Sequence, residues 1–163
     1  MSKLAKYLNR HIIGNVFEQS SILQAYNSDR SILQYTPRFV ALPEVADDVR
    51  RLVRFANQLA MRNFRLPITV RGSGMDKTGA AIGDGMVISM ERLNNIEEID
   101  VRGRLVRVQP GITLGSLNSA LALHGLTLPI AANPHMTIGG LIANCLDDDF
   151  SSRHGGIFHY VEQ

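Results

Sequence analysis

Pro67-Ile-Thr-Val-Arg-Gly-Ser-Gly-Met-Asp-Lys-Thr-Gly79 carries a β-branched segment straight into a glycine-rich loop, and that junction decides the fold. Upstream of it, Arg38-Phe-Val-Ala-Leu42 reads as a short strand ended by Pro43. Pro43 and Glu44 then open a helix. Proline suits a first turn, and Glu44, Asp47 and Asp48 favour the positive end of the helix dipole. Val45, Val49, Leu52, Val53, Ala56 and Ala60 recur at helical spacing, with Arg50, Arg51 and Arg54 mostly off that stripe. Strand, helix, strand, glycine loop implies a small parallel βαβ unit over about residues 38–71.

Further out, residues 2–13 place Leu4, Tyr7, Leu8 and Ile12 on one helical face, and a second helix is expected near Glu18–Tyr26. Downstream, Gly85-Met-Val-Ile-Ser-Met90 reads as a strand. Ile96–Asp100 and Leu105–Gln109 read as a hairpin turning at Val101–Arg104. Thr113 caps a helix whose Leu114, Leu117 and Leu121 form a stripe, ended by Gly125. From Gly85 onward a second, mainly antiparallel unit is therefore expected, giving an α+β class overall. Phe158-His-Tyr-Val-Glu-Gln163 reads as the approach to a strand with no turn after it, so the chain is expected to be part of something longer.

Composition excludes several classes. The net charge is +2 with dispersed basic residues, which is no nucleic-acid signature. No run approaches the ~18 apolar residues of a membrane span. A single cysteine, Cys145, rules out an internal disulfide and fits a reducing compartment; it is expected to be a buried small residue. The expected setting is cytoplasmic, with a peripheral position at a membrane left open.

Glycine placement marks the candidate sites. Gly72, Gly74, Gly79, Gly83 and Gly85 put five of the 14 glycines in one short stretch, and Gly139-Gly140 form a second cluster. The first loop is neither a Walker A loop, since Asp76 precedes Lys77-Thr78, nor a GxGxxG fingerprint, since Lys77 stands where the third glycine belongs. What remains is a strand delivering small residues whose N–H groups can converge on an anion, with hydroxyls at Ser73 and Thr78; an ordinary surface turn is the alternative. In Asn133-Pro-His-Met-Thr-Ile-Gly-Gly-Leu-Ile-Ala-Asn144, the Gly139-Gly140 pair allows close approach of a flat ligand or a phosphate. Thr137 and Asn144 are candidate donors there. A Gly-Gly turn before a buried segment explains that stretch equally well. His135 is read as capping or solvent-facing, with contact to a flat ring ligand as the alternative, Asp147–Asp149 as an exposed loop, and no histidine has metal-ligand spacing.

Taken in order, Val70-Arg-Gly-Ser-Gly74, Gly83-Asp-Gly-Met-Val-Ile-Ser-Met90, Val108-Gln-Pro-Gly-Ile-Thr-Leu-Gly-Ser-Leu-Asn118 and Met136-Thr-Ile-Gly-Gly140 resemble the FAD-linked oxidases. The resemblance is to the vanillyl-alcohol oxidase / p-cresol methylhydroxylase (PCMH) type of FAD-binding domain, nearest the D-lactate dehydrogenase and glycolate oxidase subunit branch. It covers roughly residues 35–144 and divides the chain into an N-terminal helical segment, 1–34, and an incomplete FAD domain, 35–163. It implies that Arg71, Gly72, Ser73, Gly74, Met75 and Asp76 wrap the FAD pyrophosphate. It also implies that the stretch Pro134, His135, Thr137, Ile138, Gly139, Gly140, with Asn144, lies along the flavin.

The usual first loop of this branch is Arg-Gly-Gly-Gly-Thr-Ser, so Ser73, Met75 and Asp76 are departures. Serine fits if its φ is negative, and Asp76 must point away from phosphate. Where some relatives carry a flavin-linking histidine this chain has Met75, which implies non-covalent FAD. The implied activity is oxidation of a small 2-hydroxy acid or related alcohol by hydride transfer to flavin, with electrons passed to oxygen or a carrier. The substrate residues belong to a domain this chain lacks, so the chain alone is expected to be inactive. Ser151-Ser-Arg-His-Gly-Gly156 resembles a short family segment near the flavin. The other readings are a non-enzymatic nucleotide-binding or interaction module, and a flavin subunit completed by a partner chain.

Overall fold

The computed structural model describes residues 1–146 and 151–162; the Asp147–Asp149 run lies outside the described residues. Two compact units divide the chain, Met1–Leu93 and Asn94–Gln163.

The first unit contains, in order, α1 (Lys3–Asn9), β1 (Asn15–Phe17), α2 (Ser20–Ala25), β2 (Phe39–Leu42), α3 (Ala46–Ala60), β3 (Ile68–Arg71) and β4 (Met86–Ser89). Its sheet has the order β1-β2-β4-β3, with β4 parallel to both neighbours and β1 antiparallel to β2. The βαβ arrangement of β2, α3 and β3 is present, but β4 corrects the expectation that Gly85 onward starts an antiparallel unit. That strand sits between β2 and β3. Every residue of β4 is buried, whereas β3 lies at the sheet edge and is only partly buried. A continuous apolar run such as Met86-Val-Ile88 suits a parallel strand covered on both faces; an alternating pattern does not.

Packing against this sheet involves the N-terminal segment. Ala5, Leu8, Ile12 and Val16 share one core with Phe39, Ala41, Leu52, Met86 and Ile88. Helix α1 is shorter than expected, since it ends at Asn9, whose side chain bonds Val16 in both directions and turns the chain into β1. Tyr7 stays 47% exposed and stacks on His11 and Phe55.

Helix α3 also begins later than expected, at Ala46, because Asp48 organises the turn ahead of it. The Asp48 side chain is 1% exposed. It accepts the N–H groups of Ile13 (2.9 Å), Gly14 (2.9 Å) and Glu44 (3.0 Å). The buried face is consequently Asp48, Leu52 and Ala56, leaving Val45 and Val53 exposed.

The second unit carries an antiparallel hairpin, β5 (Ile96–Asp100) and β6 (Leu105–Val108), then α4 (Leu114–Ala122), α5 (Ile138–Ala143), α6 (Ser151–His154) and a 3₁₀ turn at Ile157–Tyr160. Hairpin and helix fall where expected. The Thr113 hydroxyl accepts the N–H of Ser116, Leu114, Leu117 and Leu121 are buried, and Gly125 takes φ +69° after the helix. Residues 157–160 form a helical turn, not a strand, with Ile157 buried against Leu141 and the α4 leucines. Cys145 is exposed, with φ +48°, because it follows the end of α5 in a left-handed position; the expected burial is not found.

Asp48 yields a stability test. Burial pushes its carboxyl up, but the N–H bonds from Ile13, Glu44, Gly14 and Val45 outweigh this and hold it below the usual carboxylate range. A depressed folded pKa means the stabilisation is present above the unfolded value of ~3.9 and is lost as pH falls through the folded one. Asp48→Asn should lower the unfolding free energy by about 2–3 kcal/mol at neutral pH. In urea melts the gap to wild type should narrow as pH drops below ~4.

Candidate cofactor-binding loops

The loop after β3 is held open by its own side chains. Gly74 has φ +66°, and Ser73 is absent from the non-glycine residues with positive φ, so serine at that position is unstrained. The Asp76 carboxylate accepts from the Thr78 N–H (2.7 Å), the Thr78 hydroxyl (2.7 Å) and the Ala80 N–H (2.9 Å). Burial raises its pKa, but the Thr78 hydroxyl and the N–H groups of Ala80, Thr78 and Gly79 prevail and lower it, so the group stays ionised. This carboxylate is thus committed to the far side of its own loop. Outside the loop, the Asp76 carbonyl accepts the Arg30 N–H at 2.9 Å.

Five consecutive backbone N–H groups, from Gly72 to Asp76, make no hydrogen bond to any described residue. All five residues are partly buried. A row of N–H groups without internal partners at a left-handed turn is the backbone arrangement that can make an anion-binding concavity. Lys77 is exposed and lies beyond that run.

The second glycine cluster, within the other unit, is built differently. Gly139 and Gly140 lie inside the first turn of α5; the expectation of a turn ahead of a buried segment is corrected. The early N–H groups of this helix are all engaged: Ile138 donates to the Ile112 carbonyl (2.8 Å), Gly139 to the Pro110 carbonyl (2.9 Å), Gly140 to the Thr137 hydroxyl (3.3 Å) and Leu141 to the Thr137 carbonyl (2.9 Å). Thr137 is 3% exposed and serves as the cap. Asn144 turns its amide back to the Gly140 carbonyl. Pro134 and His135 are exposed. The glycine at 139 is explained by packing, since a Cβ there would fall 2.8 Å from Pro110 Cβ and 2.9 Å from its carbonyl oxygen.

No cluster of His, Cys, Asp and Glu able to hold a metal occurs among the described residues. Nor is any described helix long and apolar enough to cross a membrane.

The family model described as "FAD binding domain" matches residues 37–163. The chain belongs to this FAD-binding domain family. It is 37% identical over 118 residues to the D-2-hydroxyglutarate dehydrogenase of Pseudomonas putida, covering 71% of the chain and 12% of that protein. Identity to the D-lactate dehydrogenase of Archaeoglobus fulgidus is 29% over 149 residues, 84% of the chain and 31% of that protein. Among solved structures, 6-hydroxy-D-nicotine oxidase from Arthrobacter nicotinovorans superposes with a TM-score of 0.77 at 27% identity, over 90% of the chain and 32% of that one.

The motif order therefore identified the family correctly. The fold is the α+β, PCMH-type FAD-binding fold, and the cofactor is FAD. The chain spans about a third or less of the length of these relatives.

The Gly72–Asp76 N–H groups have no partner among the described residues, whereas those at the start of α5 are engaged. Sequence reading missed the segment around Tyr26, Ser28 and Arg30 that packs on the first loop; its one signal is the turn-rich run Asn27-Ser-Asp-Arg-Ser31. A test of the packing role follows. Gly139→Ala should destabilise the protein by about 1–2 kcal/mol in a urea melt, through overpacking against Pro110. It should do so despite the ~1 kcal/mol by which alanine outranks glycine in a helix.

Proposed function

We propose that this chain supplies the pyrophosphate-holding part of a flavin-dependent dehydrogenase acting on a small 2-hydroxy acid. The observation that carries the reading is the row of N–H groups from Gly72 to Asp76, unpartnered among the described residues, in a chain of the FAD-binding family. Relatives that are D-2-hydroxyglutarate and D-lactate dehydrogenases support the substrate class. When bound, FAD would supply the hydride acceptor for oxidation of an alcohol carbon, and the Gly72–Asp76 loop would hold its pyrophosphate.

This chain's own residues bind and orient. Backbone N–H groups at Gly72, Ser73, Gly74, Met75 and Asp76 hold the pyrophosphate oxygens. The carboxylate of Asp76, engaged with Thr78 and Ala80, keeps its charge from competing for them. On the flavin side the exposed Pro134 and His135 offer surface, while Thr137, Ile138 and Gly139 shape the segment that presents them. No residue of this chain is proposed for substrate carboxylate binding, proton removal or transfer to an electron acceptor. A cytoplasmic setting, whether free or at the membrane surface, fits a lone exposed free thiol.

FAD should be non-covalent, because the Met75 thioether forms no counterpart of a histidyl–flavin bond. Acid precipitation of the yellow protein should leave the flavin in the supernatant; flavin fluorescence on the washed polypeptide would contradict this. FAD titration of the whole gene product tests the cradle. Gly74→Val should weaken binding by ~10² or more, as expected for losing two charge-assisted hydrogen bonds. Lys77→Ala should change it by less than about threefold. A larger loss for Lys77→Ala than for Gly74→Val would move the grip to a basic side chain.

A further inference from the structure

Arg71 ends β3 and begins the glycine loop, and among the described residues its guanidinium binds only uncharged groups. Nη1 donates to the Ser28 carbonyl at 2.8 Å and to the Ala81 carbonyl at 3.3 Å. The guanidinium carbon lies 5.3 Å from the centroid of the Tyr26 ring. Arg71 forms no ion pair among the described residues. A Cβ placed on Gly74 would fall 2.1 Å from its Nη2, so the missing side chain at residue 74 leaves room for this guanidinium.

We infer that Arg71 is a positioning residue for the cofactor loop, acting both as a tie through Nη1 and as an unneutralised charge. Its Nη1 ties both ends of the loop: Ala81 lies just past it, and Ser28 belongs to the segment whose Arg30 N–H holds the Asp76 carbonyl. With the loop shape set by these side-chain contacts, the N–H groups of Gly72–Asp76 stay unspent. The cation next to Gly74 then attracts a pyrophosphate held by those groups without touching it. A carboxylate partner would have cancelled that attraction; a carbonyl and an aromatic face do not. The inference rests on the reading of Gly72–Asp76 as the pyrophosphate cradle.

The two roles separate on substitution. Lysine keeps the charge but lacks the planar guanidinium that lies near the Tyr26 ring and fills the space beside Gly74, while methionine keeps the aliphatic stem and loses both. An attraction between separated charges is screened by salt over a Debye length of about 10 Å at 0.1 M, so ionic strength reads the charge and a purely structural role does not.

The experiment is FAD titration of the whole gene product as wild type, Arg71→Lys and Arg71→Met at low and high sodium chloride, with a thermal melt of each as a folding control. Arg71→Lys should weaken binding about tenfold and keep the wild-type salt dependence. Arg71→Met should weaken it ~100-fold and flatten that dependence. The inference is overturned if Arg71→Met binds within about threefold of wild type or keeps the full salt dependence. It is also overturned if Arg71→Lys matches wild type in affinity or loses its salt dependence, and this arm decides alone if Arg71→Met does not fold. A wild-type protein that takes up no FAD would instead refute the cradle reading itself.

Discussion

Five backbone N–H groups in a row without a partner among the described residues, from Gly72 to Asp76, impose a constraint on everything around them. A loop normally keeps its shape by pairing its backbone with itself, and doing so here would consume the donors. The shape has to come from side chains instead. Arg71 ties the loop to Ser28 and Ala81, Asp76 folds its carboxylate onto Thr78 and Ala80, and Arg30 holds the Asp76 carbonyl. Each of these contacts spends a side chain or a carbonyl and leaves the donors from 72 to 76 untouched.

The same logic reaches into the sheet. Edge strand β3 delivers the loop, β4 holds β3 in register from Ile68↔Met86 to Arg71↔Ser89, and β2 closes the other side of β4. Asp48 in turn fixes the start of α3 to the chain at Ile13 and Gly14, so the N-terminal residues become part of the core beneath the sheet. The segment 27–34, which braces the glycine loop, is thus anchored on both sides by ordered elements.

Local patterns were legible in the sequence. Strand β2, the hairpin β5–β6, the Thr113 cap and the leucine stripe of α4 all follow from neighbours a few residues apart. The position of β4 did not, because pairing partners are set by contacts across the sheet. Its unbroken Met86-Val-Ile-Ser89 run was a usable hint of burial on both faces. The later start of α3 had a signal too, an acid at the third helical position that reaches back to orphan N–H groups. At the site, the order of motifs disclosed the family, yet the difference between the two glycine clusters was invisible. Both look permissive as sequence; only the hydrogen-bond partners show that Gly139 accommodates Pro110 while Gly74 accommodates a guanidinium.

The most direct measurement is an amide-resolved NMR titration of the protein with FAD, and with ADP as the pyrophosphate without the flavin. The account predicts that the N–H resonances of Gly72, Ser73, Gly74, Met75 and Asp76 shift downfield with both ligands. Those of Ile138, Gly139 and Gly140, already bonded internally, should move little with ADP. Large ADP-induced shifts at 138–140 with a silent 72–76 loop would contradict it.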